Sequence, residues 1–216
     1  MAPFRAVPTL TEEIRGWRNG CRHVAGIDEV GRGPMAGPVV AGAVILDPQY
    51  ARNWWSELRD SKTLTAAQRA RLAERLHADA QAVVATGLAS HEEVDDLGLL
   101  NATKQAMLRA LDALPCTPDL LLIDAVLLPE YGGAAEQRSL IHGDGLCLSI
   151  AAASIVAKVE RDRLMDQYDR TYPTYGFASN RGYCTHSHLQ ALDRHGPCPI
   201  HRRSFAPVRA YNERHR

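Results

Sequence analysis

Ile27-Asp28-Glu29-Val30-Gly31-Arg32-Gly33-Pro34-Met35-Ala36-Gly37-Pro38 sets two adjacent carboxylates between an apolar run, Val24-Ala25-Gly26-Ile27, and a turn rich in glycine and proline. Neighbours on a strand point to opposite faces, and adjacent like charges favour a proton or a cation, so the pair reads as a strand end with a metal-binding task. The glycines leave backbone N–H groups free to approach a phosphate or a sugar closely. Downstream, Val39-Val40-Ala41-Gly42-Ala43-Val44-Ile45-Leu46 is apolar, rich in β-branched residues and bounded by Pro38 and Asp47-Pro48, as a buried strand is. Two strands flanking the acidic turn make a hairpin-like pair.

Further along, Thr65 to Ala80 reads as a helix, capped by Thr65 with Gln68 three residues on. Val83 to Leu88 reads as a strand, and Glu92-Glu93 open a helical stretch that continues through Asn101 to Leu114 and stops at Pro115. Leu120-Leu121-Leu122-Ile123 is a fully apolar strand ending in Asp124, a second place where a carboxylate leaves the core at a strand end. Ligand sites in open α/β sheets gather there. From Ser149 to Asp169 an alanine-rich helix carries Ser154, Lys158 and Asp162 on one stripe, and its small residues permit close packing on a sheet. Leu10 to Trp17 and Ser187 to His195 read as short helices, the second within a loop-rich C-terminal cap.

With 216 residues and 45% hydrophobic content, the chain can bury one substantial core as a single α/β domain. No apolar run approaches the roughly 18 residues that span a bilayer, and no secretory signal pattern opens the chain, so a soluble cytoplasmic protein is expected. Five cysteines without CxxC spacing fit reduced thiols better than a disulfide frame or a zinc site. Net charge is zero, with 25 basic and 25 acidic residues, so bulk charge does not advertise nucleic acid. The distribution does: residues 181 to 216 hold seven arginines and five histidines against only Asp193 and Glu213. A basic end set against an acidic pocket suits a polyanion held by its backbone.

The opening stretch strongly resembles the first motif of ribonuclease HII. In order, the family's pattern returns at Asp60-Ser61-Lys62-Thr63-Leu64, Asn101-Ala102-Thr103, Leu122-Ile123-Asp124, Gly143-Asp144, Ser149 to Val159, Arg161-Asp162-Arg163, Tyr175-Gly176-Phe177, Gly182-Tyr183 and His201 to Phe205. The resemblance spans 24 to 208, leaving 1–23 as a lead-in and 209–216 as a basic tail. It implies a ribonuclease H-like mixed sheet flanked by helices, and a monomeric endoribonuclease acting on RNA/DNA hybrids and on DNA containing ribonucleotides, with 5′-phosphate and 3′-hydroxyl products. The related ribonuclease HIII normally has an added N-terminal domain, for which Asp28 stands too near the start. A hybrid-binding protein that has lost catalysis is the rival from another class. For a sliding-clamp partner, Val208 to Arg216 show no clear binding pattern.

Asp28, Glu29 and Asp124 are the expected metal ligands, since hard oxygen donors suit Mg²⁺ or Mn²⁺, and two such ions can activate water and stabilise a leaving oxygen. The resemblance leaves the fourth acid between Asp144, the bacterial pattern and the one favoured, and Asp162, the archaeal and eukaryotic one. As an alternative, Asp162 would pair with Arg161 or Arg163. Reading the 2′-hydroxyl is implied for the Gly31-Arg32-Gly33 backbone and for Tyr183. Ser61 and Lys62 are expected at phosphate, and Lys158, Thr185, Arg202 and Ser204 are weaker candidates for backbone contacts. Two departures stand out. The turn His142-Gly143-Asp144-Gly145-Leu146-Cys147 lacks the lysines of many bacterial relatives, and Cys184 stands where a glycine, and with it a positive φ, is usual.

Overall fold

A computed structural model describes residues 7–47, 52–132 and 135–215. Strands β1 (Val24–Val30), β2 (Val39–Leu46), β3 (Ala82–Ala89), β4 (Leu120–Asp124) and β5 (Glu136–Leu140) form one sheet of order β3-β2-β1-β4-β5. The β1–β2 and β2–β3 pairs are antiparallel, whereas β1–β4 and β4–β5 are parallel, so the sheet is mixed as expected.

Helices α1 (Thr11–Arg18), α2 (Ala66–Ala78), α3 (His91–Leu97), α4 (Leu99–Asp112), α5 (Leu148–Thr171), α6 (Phe177–Asn180), α7 (His186–His195) and α8 (Ala206–Arg214) cover it. On one face, Ala102, Ala106, Met107 and Ala110 of α4 bury Ile27, Ala41, Ala43 and Ile123. On the other lie α5 and α2, with Ala152, Ile155 and Leu76 against Val44 and Leu46. The central helix approaches very closely, because Gly26 of β1 faces the Ser149 backbone and Gly42 of β2 faces the Ala153 carbonyl; a Cβ at either would overlap the α5 main chain.

The expected capping box of α2 is present, Thr65 Oγ1 accepting from Gln68 N–H and Gln68 Oε1 from Thr65 N–H. Three features differ from expectation. β1 runs on through Val30, so the acid pair lies within the strand. The helical stretch from 91 is split at Gly98, whose φ of 78° turns the chain between α3 and α4. β5, a polar edge strand, carries too little apolar alternation to announce itself. Residues 209–214 continue α8. All five cysteines are free, and among the described residues no helix is long and apolar enough to cross a membrane.

Candidate active site

Parallel register sets the site. Ile27 pairs with Ile123 and Asp124 with Leu140, so Asp28, Asp124 and the chain leaving β5 emerge at the same end of the sheet. Just after β5 ends at Leu140, the short turn Gly143–Gly145 brings Asp144 back beside Asp124, anchored by Gly143 N–H on Asp124 Oδ1 at 2.9 Å. His142 takes the left-handed conformation that reverses the chain there, φ 59°. A Cβ at Gly143 would meet the Cδ1 methyl of Ile150 in α5 at 2.6 Å.

Asp28 and Asp144 are buried, 5% and 6% exposed. Asp28 Oδ1 accepts from Glu29 N–H at 2.8 Å, and Ser154 of α5 also bonds to its carboxylate. Burial, then repulsion from Glu29, Asp124 and Asp144, holds the Asp28 carboxyl well above the usual carboxylate range. Burial likewise raises Glu29, against the opposing hydrogen bond from Arg32, and raises Asp124, against the Gly143 bond. Lys62 answers this charge: its Nζ is 3.4 Å from Asp144 Oδ2, and although desolvation works against the ammonium, Asp144, Asp60 and Asp28 raise its pKa overall.

Whether these acids suit a divalent ion can be judged from their donors. Among the described residues no three His, Cys, Asp or Glu side chains close around one point at ligand distance. Each acid instead holds a partner from the chain, Arg32 on Glu29 Oε1 at 3.0 Å, Gly143 on Asp124 and Lys62 on Asp144. Glu29 Oε2, however, is buried with no hydrogen-bond partner. An oxygen-only cluster with an unfilled buried acceptor and raised carboxyl groups fits a hard cation such as Mg²⁺ or Mn²⁺.

Beside the acids runs the Gly31–Gly37 loop. Gly31 and Gly37 have φ of 96° and 84°, and a Cβ on Gly33 would lie 3.3 Å from the Tyr183 ring, so the half-exposed tyrosine stands directly over Gly33. Ser61 Oγ is 2.9 Å from Ser154 Oγ, tying the Asp60–Leu64 segment to the floor of the site.

The other candidates lie elsewhere or act differently. Asp162 lies two turns beyond Ser154 along α5, roughly 12 Å on. It pairs there with Lys158 at 2.6 Å, Arg181 at 3.6 Å and Arg69 at 3.8 Å. The expected Arg161 and Arg163 partners are not used: Arg163 takes Glu160, and Arg161 faces carbonyl groups. Lys158 is thus held by Asp162. Thr185 caps α7 through His188 N–H. Ser204 bonds Asp95, and Arg202 is fully buried, so neither is free for a phosphate. Cys184 does not adopt positive φ; Gly182 carries that turn at 82° and Arg181 at 53°.

Sequence reading overlooked Arg161 and the His188–His201 pair. The signal for Arg161 is its place between Ala157 and Met165 on the buried stripe of α5, where a charge is out of pattern. His188 Nδ1 donates to Tyr183 O at 2.8 Å, which leaves its Nε2 to accept from His201 Nε2 at 3.1 Å, and His201 Nδ1 to accept from Cys198 N–H at 3.0 Å. That chain of bonds requires both imidazoles to be neutral, and burial lowers both pKa values, His201 to about 4.

Comparison with known proteins identifies the family. The family model for ribonuclease HII matches residues 25–208. Ribonuclease HII of Desulfitobacterium hafniense (strain DSM 10664 / DCB-2) is 52% identical over 199 residues, 92% of this chain and 74% of the relative. That of Dehalococcoides mccartyi is 43% identical over 209 residues, covering 96% and 97%. Among solved structures, ribonuclease H2 from Pyrococcus horikoshii OT3 superposes with a TM-score of 0.73 at 27% identity, covering 89% of this chain and 98% of that one. The chain belongs to the ribonuclease HII family.

Proposed function

We propose that this member of the ribonuclease HII family hydrolyses the RNA strand of RNA/DNA hybrids and nicks duplex DNA on the 5′ side of an embedded ribonucleotide. As a member of a metal-dependent type 2 ribonuclease H family it is an endoribonuclease. The observation that carries the reading is the convergence of Asp28, Glu29, Asp124 and Asp144 beside the Gly31–Gly33 loop and Tyr183.

In this reading Asp28, Glu29, Asp124 and Asp144 hold the divalent ions. Bound there, two such ions supply an activated water and charge stabilisation for the leaving oxygen. Peptide groups of Gly31, Arg32 and Gly33 meet the 2′-hydroxyl, which is both donor and acceptor, while the Tyr183 ring packs on the sugar. Lys62 is exposed over most of its length and reaches for the phosphate from the Asp144 side. Ser61 orders the segment that carries it. In this reading a monomer loaded with its divalent ions is the acting species.

The test is cleavage of an end-labelled DNA duplex with one ribonucleotide, in Mg²⁺, Mn²⁺ or chelator, for wild type and Asp124→Asn. A nick 5′ of the ribonucleotide, leaving 5′-phosphate and lost in chelator and in the variant, is the expected result. Binding without any nick would point instead to a hybrid-binding protein.

A further inference from the structure

Arg161 and Arg202 are buried, 1% and 0% exposed, and neither forms an ion pair among the described residues. A guanidinium taken out of water is costly unless its donors are filled. Arg161 reaches from α5, donating Nε to Pro38 O at 3.0 Å, Nη2 to Ala36 O at 3.2 Å and Nη1 to Arg181 O at 3.0 Å. Arg202 comes from the segment before α8, donating Nε to Gly37 O at 2.9 Å, Nη1 to Arg32 O at 3.2 Å and Nη2 to Gly31 O at 2.6 Å. Every acceptor is a main-chain carbonyl.

This grip has a stereochemical consequence. In a trans peptide the N–H points opposite to the C=O. Carbonyls of Gly31 and Arg32 turned inward to Arg202 therefore turn the N–H groups of Arg32 and Gly33 outward. The same loop is tied to the tyrosine turn by Met35 N–H on Gly182 O and to the C-terminal segment by Arg202 N–H on Met35 O, both at 2.9 Å. Arg161 bridges the two elements directly, since it holds Ala36 and Pro38 on one and Arg181 on the other.

We propose that Arg161 and Arg202 are positioning residues for ribonucleotide recognition, fixing the peptide planes of the Gly31–Gly37 loop and the turn before Tyr183 so that the substrate meets one preformed surface. The proposal rests on reading Gly31–Gly33 and Tyr183 as that surface. Lysine keeps the charge but loses the fork that reaches several carbonyls at once.

Steady-state cleavage of the single-ribonucleotide duplex is measured for Arg161→Lys, Arg202→Lys and Tyr183→Ala. In both arginine variants kcat should fall about tenfold or more, with KM within about threefold, at a temperature where circular dichroism shows a folded protein. Wild-type kcat in both, with a loss in Tyr183→Ala, overturns the clamp alone. Unchanged turnover in Tyr183→Ala overturns the ribose-reading assignment itself. Should either lysine variant fail to fold, hydrogen exchange on the wild type decides: the Met35, Gly37 and Arg202 amides, which donate to the Gly182, Ile200 and Met35 carbonyls, should exchange as slowly as ordered structure despite lying outside the ladder, and fast local exchange there overturns the proposal.

Discussion

Lys62 Nζ and Asp144 Oδ2 meet at 3.4 Å across 82 residues of chain, joining the segment before α2 to the turn before α5. The contact puts an exposed cation on an acid that also faces Asp28 and Asp124. Asp162, by contrast, is already surrounded by Lys158, Arg181 and Arg69. Asp144→Asn should therefore lower kcat by about a hundredfold or more with little change in Tm, whereas Asp162→Asn should keep activity within about tenfold and lower Tm. Parallel kinetics and thermal melts check this, and the reverse pattern would make Asp162 the fourth acid.

Acid sensitivity follows from His188 and His201. Both are neutral in the folded protein, His201 at about 4, while an unfolded histidine titrates near 6.5. The unfolded chain thus binds more protons between those values. Stability is complete above pH 6.5 and falls as pH drops toward 4, by on the order of 3 kcal/mol for His201. Urea unfolding from pH 8 to 4.5 should show this decline, and a smaller one in His201→Gln, whose amide can still donate to His188.

Glu13 of α1 is buried, and its Oε1 accepts from both the N–H and the hydroxyl of Ser149, capping the N-terminus of α5, where Cys147 offers no side-chain cap. Glu13→Ala leaves those donors unmet and should cost about 2 kcal/mol. Chemical denaturation measures it. A change below about 0.5 kcal/mol would mean that water replaces the cap.

Close packing of α5 on the sheet gives the sharpest core prediction. Gly42→Ala drives a methyl into the Ala153 carbonyl, a backbone group that cannot step aside without moving the whole helix. A loss of about 3 kcal/mol or more is expected, larger than for an ordinary overpacking change. Equilibrium unfolding tests it.

How much of this was legible beforehand depends on the range of the forces involved. Strand β2, the α2 capping box and Asp124 at the end of an apolar run were readable because periodicity, caps and strand ends are written in neighbouring residues. The acids and the Gly31–Gly33 loop were likewise visible as motifs. Strand β5 was not, since a polar edge strand is held by ladder bonds to β4 and not by its own apolar face.

Sequence alone thus yielded the α/β class by local pattern, the mixed sheet by resemblance, and Asp28, Glu29, Asp124 and the glycine loop as candidates by residue chemistry. Only the tertiary structure decided which further groups join them. The parallel β4–β5 register returns Asp144 to Asp124, three cations claim Asp162, and Arg202, legible as a surface cation, is buried against the carbonyl groups of Gly31, Arg32 and Gly37. A side chain's partner depends on what the fold brings within about 3 Å of it, and residues a hundred positions away leave no trace of that in the local sequence.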